Sequence, residues 1–162
     1  IGDEAVKIAQ MASKISAQGK SSYGYAEVQH LSNQVRLMLH NALEAFSQSN
    51  AEQAFEVMRN DNVVNDEYQS AIRALMTYIM EDSRHVSKVI NIMWILRALE
   101  RIGDHAQNVA ELVINYISGQ DVRHSDYALV EKAVQEANDR LAARHVTAMS
   151  ATDFESSDSD EE

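Results

Sequence analysis

The chain has 162 residues, 45% of them apolar, enough to bury one substantial core. It contains no cysteine, no proline and five glycines, which excludes disulfides, thiolate metal sites and cysteine catalysis and favours an all-α fold over a turn-rich β fold. Its formal charge of −11 has the wrong sign for a nucleic-acid footprint or for adhesion to an anionic membrane.

In chain order, Ile1 to about Ala17 reads as a helix, with Ile1, Ala5, Ile8, Ala12 and Ile15 at spacings of three and four. Gln18 to Gly24 is a break. A second helix from about Tyr25 to Phe46 carries Val28, Leu31, Val35, Met38, Leu39, Ala42 and Phe46 on its inner stripe. Asn50 is placed to cap a third helix from about Ala51 to Met80, with Gln53 at the capping-box position. The seam of that helix is Ala54, Val57, Asp61, Val64, Tyr68, Ile72, Leu75 and Ile79. Met76, Met80 and Met93 are expected as core filler. Glu81 to Ser83 forms a short turn with Asp82 or Ser83 as cap, and a fourth helix runs from Val86 to about Ile117, with Gly119 at its C′ position. Tyr127 to about Ala143 reads as a short helix carrying Val130, Val134 and Leu141. Asp153 to Glu162 is serine and acid with one aromatic, holds six of the acidic charges, and is expected to be a disordered, solubilising tail. No apolar run reaches the roughly 18 residues that a membrane helix needs, so no membrane insertion is expected. Ile1 in place of a start methionine points to a fragment or a processed product.

The fourth helix carries the chemistry. Val86, Val89, Met93 and Leu96 line one stripe, and the same stripe continues as Glu100, Asp104 and Glu111, with Asn108 at its margin. A second flank of Ile92, Leu99, Ala106, Ala110 and Val113 stays apolar past that switch and keeps the helix packed. Two carboxylates four apart on a helix repel by a few tenths of a kcal/mol. A hard cation bridging them would reverse that sign; a solvated polar face is the other reading of the same pattern. Asp61 interrupts the third helix's seam as Glu100 interrupts this one.

The motif also has a partial repeat. Ile1-Gly2-Asp3-Glu4-Ala5-Val6-Lys7-Ile8-Ala9 aligns with Ile102-Gly103-Asp104-His105-Ala106-Gln107-Asn108-Val109-Ala110. Isoleucine, glycine, aspartate and both alanines coincide, and a period of this length indicates a duplicated bundle. Glycine inside a helix costs about 1 kcal/mol against alanine, so its recurrence suggests a close backbone approach at both Gly2 and Gly103.

With Ile1 to Ala9, the run Glu100 to Leu112 (ERIGDHAQNVAEL) closely resembles the PhoU family of phosphate-responsive regulators, as do Tyr68 to Asp82 and Asp121 to His124. The resemblance covers Ile1 to about His124. It implies an all-α fold of tandem three-helix bundles. Residues 1–17 would then end a first bundle that is otherwise missing, residues 25–124 would form the second, and residues 125–162 would be a variable extension. It implies iron or another divalent or trivalent metal ion at acidic motifs, here Glu100, Asp104, Asp61, Asn65 and Asp3. The family pattern has an aspartate where this chain has Asn65; asparagine keeps a carbonyl oxygen but brings no charge, so weaker metal affinity is expected in that half, with Asp66 and Glu67 as neighbouring substitutes.

Two functions from different classes follow. The resemblance implies a cytoplasmic negative regulator of phosphate uptake and phosphate-regulon signalling, peripheral to the inner face of the membrane. It would be an adaptor that contacts the ATPase subunit of a phosphate ABC transporter and a sensor histidine kinase. From the residues themselves, no nucleophile with a positioned base and no basic face are found, so no catalytic role and no nucleic-acid partner are expected, and a homodimer is expected from the first helix. The alternative is a carboxylate-bridged metal enzyme on a helical bundle. Glu27 and His30 form an E-x-x-H pair as in diiron bundles, but no second such pair exists. Asp82 with His85 and Asp121 with His124 sit at helix ends, where a cap and a surface histidine are the default. Trp94 lies about 100° from the acidic stripe and is expected in core or interface packing. The unpartnered stripe of the first helix is expected to dock on a second copy, since exchange of a terminal element is a low-cost route to a dimer.

Overall fold

A computed structural model describes residues 1–19, 24–123 and 125–157, with side chains at 141 and 144–157 excepted. Parts of the Gln18–Gly24 break, His124, the side chain of Leu141 and the last five tail residues therefore lie outside the described residues. The fold is all-α: α1 (Gly2–Ala17), α2 (Tyr25–Gln48), α3 (Ala51–Glu81), a 3-10 turn at Ser83–His85, α4 (Val86–Ser118) and α5 (Tyr127–Ser157). No strand occurs among the described residues.

Local chemistry sets the helix ends. The Asn50 side chain accepts from the Gln53 backbone N–H at 3.0 Å and starts α3. The reciprocal capping-box bond is replaced: the Gln53 side chain donates instead to Glu44 on α2 at 2.7 Å, tying the α2–α3 corner. Asp82 caps the 3-10 turn through the Arg84 N–H at 2.9 Å. Gly119 ends α4 at φ 74°, the left-handed conformation that glycine adopts at no steric cost.

The bundle of α2, α3 and α4 buries Leu31, Val57, Val64, Leu75, Val89, Leu96 and Ile114 almost completely, each worth about 1.5–3 kcal/mol. A Cβ on Gly24, at the start of α2, would meet Ile92 Cδ1 at 2.8 Å and Leu75 Cδ2 at 3.0 Å. The start of α2 thus sits against early α4 and late α3. The far end of α2, at Phe46 and Ser49, lines a groove with the far end of α4. So α2 and α4 run in the same direction and α3 runs against both. The second flank of α4 is buried as expected at Ile92, Leu99, Ala106, Ala110 and Val113. Val130, Ala133, Val134 and Ala137 of α5 are buried against α3 and α4.

Several expectations are corrected. The first helix packs on α4 of its own chain rather than waiting for a second copy. Lys88 donates to the carbonyls of Gln18 at 3.4 Å and Gly19 at 3.0 Å, and Arg101 pairs with Glu4 at 3.2 Å, so α1 runs antiparallel to α4 and is clamped at both ends. A short tether gives this docking a high effective concentration. The inner stripe of α1 is Glu4, Ile8, Met11 and Ile15, while Ile1, Ala5 and Ala12 are exposed. Ile8 and Ile15 belong to both candidate stripes, and Arg101 selects the one that includes Glu4.

Phe46 is 66% exposed, and Ala45, one position earlier, is buried in its place, while Ala42 is buried as expected. Met76 and Met80 are exposed and Met93 is half-buried. The two exposed methionines each lie one position past a seam residue, Leu75 and Ile79, and so turn outward. Gly2 has open space around it, so the close approach holds only at Gly103. Trp94 is 60% exposed and is not in the core. Helix α5 continues to Ser157, past the expected end near Ala143 and into the expected disordered tail. The stretch has Ala142, Ala143, Ala148 and Ala151 and no glycine or proline to stop it.

Candidate acidic site on helices three and four

The site forms where the apolar seams of α3 and α4 both turn to carboxylate. Asp61 is 7% and Glu100 8% exposed, and each is only half satisfied. Asp61 Oδ2 accepts from Asn65 Nδ2 at 2.8 Å, whereas Oδ1 has no hydrogen-bond partner among the described residues. Glu100 Oε1 accepts from Arg97 Nη1 at 2.6 Å, whereas Oε2 has no partner among the described residues. Asp104, one turn further on α4, is half-buried.

The charges act on one another. Burial pushes the Asp61 carboxyl above its ordinary range, the Asp104 charge adds to that, and the Asn65 hydrogen bond pulls back. Glu111 pushes Asp61 in the same direction as Asp104. Burial also raises Glu100, with the Asp104 and Asp61 charges adding and Arg97 opposing. Asp61, Glu100 and Asp104 thus converge across the α3–α4 contact, as the interrupted seams suggest. Gly103 makes that contact close: a Cβ there would stand 3.3 Å from Val64 Cγ1 and 3.9 Å from Met38 Sδ.

Beside the pair, a cavity of about 380 Å³ opens between α4 and the segment leading into α5, with Asp104, Asn108, Glu111, Arg123 and Tyr127 in its walls. Tyr127 closes it on the α3 side: its hydroxyl donates to the Met58 carbonyl at 3.1 Å and accepts from Asn62 at 2.9 Å, and its ring tilts against Phe55. The sequence reading missed Tyr127 and Arg123 as wall residues. Arg123 lies in the family-like run Asp121 to His124 and Tyr127 opens the next helix, but neither signal places a side chain against the acids of α4.

The other candidates fall elsewhere. Asp3 is exposed on α1 and is not among the charges that act on Asp61 or Glu100; the buried acid of α1 is its neighbour Glu4. Asn65 turns its amide nitrogen, not its carbonyl, to Asp61. Asp66 is exposed, and Glu67 stands 3.6 Å from His30, so neither substitutes for the missing aspartate. Glu27 accepts from Tyr78, so the E-x-x-H pair reaches two separate partners on α3. Among the described residues no three acidic or imidazole groups form a ready-made cation cage. The acids are neighbours rather than a finished coordination shell.

The PhoU domain matches residues 28–113, which contain Asp61, Asn65, Glu100 and Asp104. The chain belongs to the PhoU family. A PhoU homolog named as a phosphate-specific transport system accessory protein, from Pseudomonas aeruginosa, is 48% identical over 135 residues, covering 83% of this chain and 56% of that protein. The Escherichia coli accessory protein PhoU is 39% identical over 125 residues, covering 76% of this chain and 51% of its own length. The crystal structure of PhoU from Pseudomonas aeruginosa superposes with a TM-score of 0.71 at 50% identity, over 74% of this chain and 57% of that one. The chain spans about half the length of the PhoU proteins it matches. The PhoU match lies on α2, α3 and most of α4, so the acidic site belongs to the PhoU domain and α1 lies outside that match. No helix among the described residues is long and apolar enough to cross a membrane.

Proposed function

We propose that this chain takes part in the negative control of phosphate uptake and of the phosphate regulon. It acts as a non-catalytic adaptor between the ATPase subunit of a phosphate ABC transporter and a sensor histidine kinase. The names of its relatives, accessory proteins of phosphate-specific transport, support the transporter side of this reading. The kinase and a place at the cytoplasmic face of the membrane follow from the family resemblance.

The observation that carries the metal part of the proposal is the pair of buried, unpartnered oxygens, Asp61 Oδ1 and Glu100 Oε2, with Asp104 beside them. An unsatisfied buried carboxylate oxygen is costly, and carboxylate oxygens are what a hard cation takes. The donor chemistry suits iron or a similar hard ion, and Asp61, Glu100 and Asp104, with Glu111 next in line, would draw together to hold it, since they form no ready-made cage among the described residues. The ion would supply charge neutralisation, letting α3 and α4 keep four acids near their contact. Asn65 holds Asp61 in place, and Arg97 partly neutralises Glu100.

Metal content of the purified chain against Asp104→Ala tests the site, with bound metal expected to fall in the variant; equal content would overturn it. The adaptor reading is tested separately by co-purification with the transporter ATPase subunit and by a phosphate-regulon reporter in phosphate-rich medium. Loss of the chain is expected to switch the reporter on.

A further inference from the structure

At the end of the molecule where α2 and α4 both finish, an apolar groove of about 630 Å³ lies between them, with Phe46 and Ser49 on one wall and Leu112, Asn115 and Tyr116 on the other. Its floor is Val113, which is 3% exposed, and its rim is Phe46 at 66%, Leu112 at 62% and Tyr116 at 84%. Three large apolar side chains standing in water around an apolar floor mark a contact surface. We propose that this groove docks a cationic amphipathic helix of a partner protein.

The charge argument selects that occupant. The groove lies at the C-terminal ends of two parallel helices, and neither has a basic residue in its last turn. Each end carries the negative pole of its macrodipole, equivalent to roughly half an elementary charge. Arg140 of α5 donates to the Ser118 carbonyl at 3.2 Å and offsets the α4 end, which leaves the α2 end, with no basic side chain in its last turn, as the one to be offset. The whole chain carries −11. A helix with leucines on one face and lysines beside them places its apolar residues against Phe46, Val113, Leu112 and Tyr116, and its ammonium groups toward the α2 end. The inference does not depend on the acidic site on α3 and α4.

The test uses the full chain and a fluorescein-labelled synthetic helix of about 18 residues, five turns, with Leu on one face and Lys on the other. A partner peptide carries Glu in place of Lys. Anisotropy is expected to show binding of the Lys peptide and none of the Glu peptide. Leu112→Ser and Tyr116→Ser, both at exposed positions, are each expected to weaken binding by about tenfold or more. No binding by the wild-type chain overturns the proposal. So does equal binding by wild type and both variants, which would mean diffuse attraction to an acidic protein. Light scattering decides the remaining case: a wild-type dimer that Leu112→Ser converts to monomer assigns the groove to a second copy and overturns the partner reading.

Discussion

At the residue scale, three positions are decided by their surroundings. Gly103 gives up about 1 kcal/mol of helix propensity against alanine, and Val64, which a Cβ would meet at 3.3 Å, is 2% exposed with nowhere to retreat. Overpacking a tight core costs about 1–3 kcal/mol. Gly103→Ala is therefore expected to lose about 1 kcal/mol net, read by urea denaturation; a raised midpoint would show that Val64 gives way. Asp61 has its carboxyl raised by burial, so its charged form opposes folding. Its favourable contribution is present below the ordinary carboxylate range, near about 4, and is lost as pH rises through the raised folded value. In chelator-treated protein, Asp61→Asn is expected to raise the melting temperature at neutral pH, with the gain shrinking toward pH 4. A gain independent of pH would refute the assignment. Asp82 is the opposite case: the Arg84 guanidinium, donating at 2.8 and 3.0 Å, holds its carboxyl down to about 2. A carboxyl NMR titration should find its midpoint there, below the ordinary carboxylate range.

At the element scale, α1 touches only α4 among the described residues. Its apolar contacts, Ile8, Met11 and Ile15, are only half-buried, so its attachment leans on Lys88 and Arg101. A hydrogen bond to a charged group contributes about 1.5–3 kcal/mol, roughly tenfold or more in an opening equilibrium. Lys88→Met should therefore speed amide exchange in α1 by at least about tenfold while α2, α3 and α4 exchange as before. Uniform acceleration across all helices would mean that Lys88 supports the bundle rather than the clamp.

At the scale of the whole molecule, α1 covers one side of α4 while α2 and α3 cover the others, and α5 packs against α3 and α4. Removing residues 1–17 would uncover part of α4 and forfeit three half-buried aliphatic side chains, about 3 kcal/mol in all. The truncated chain is expected to unfold at lower urea and to bind the dye ANS; unchanged stability and no dye binding would show that the bundle does not need α1.

Much of this was legible from residues alone. Helix periodicity placed α2, α3 and α4 within about two residues, because strong apolar seams and the caps at Asn50, Asp82 and Gly119 are local in cause. The switch of two seams from apolar to acid located Asp61, Glu100 and Asp104, because a carboxylate on a core stripe has no local excuse. Only the tertiary structure decided which face of α1 turns inward, since two stripes share Ile8 and Ile15 and the choice belongs to Arg101, far along the chain. It also decided that Gly2 is free while Gly103 is pressed on Val64, although their sequence contexts match. It set Asn65 with its nitrogen toward Asp61 and brought Arg123 and Tyr127 to the acidic cavity. Periodicity says what a helix will bury, but its neighbours say against what, and the second fact lives in contacts between residues distant in sequence.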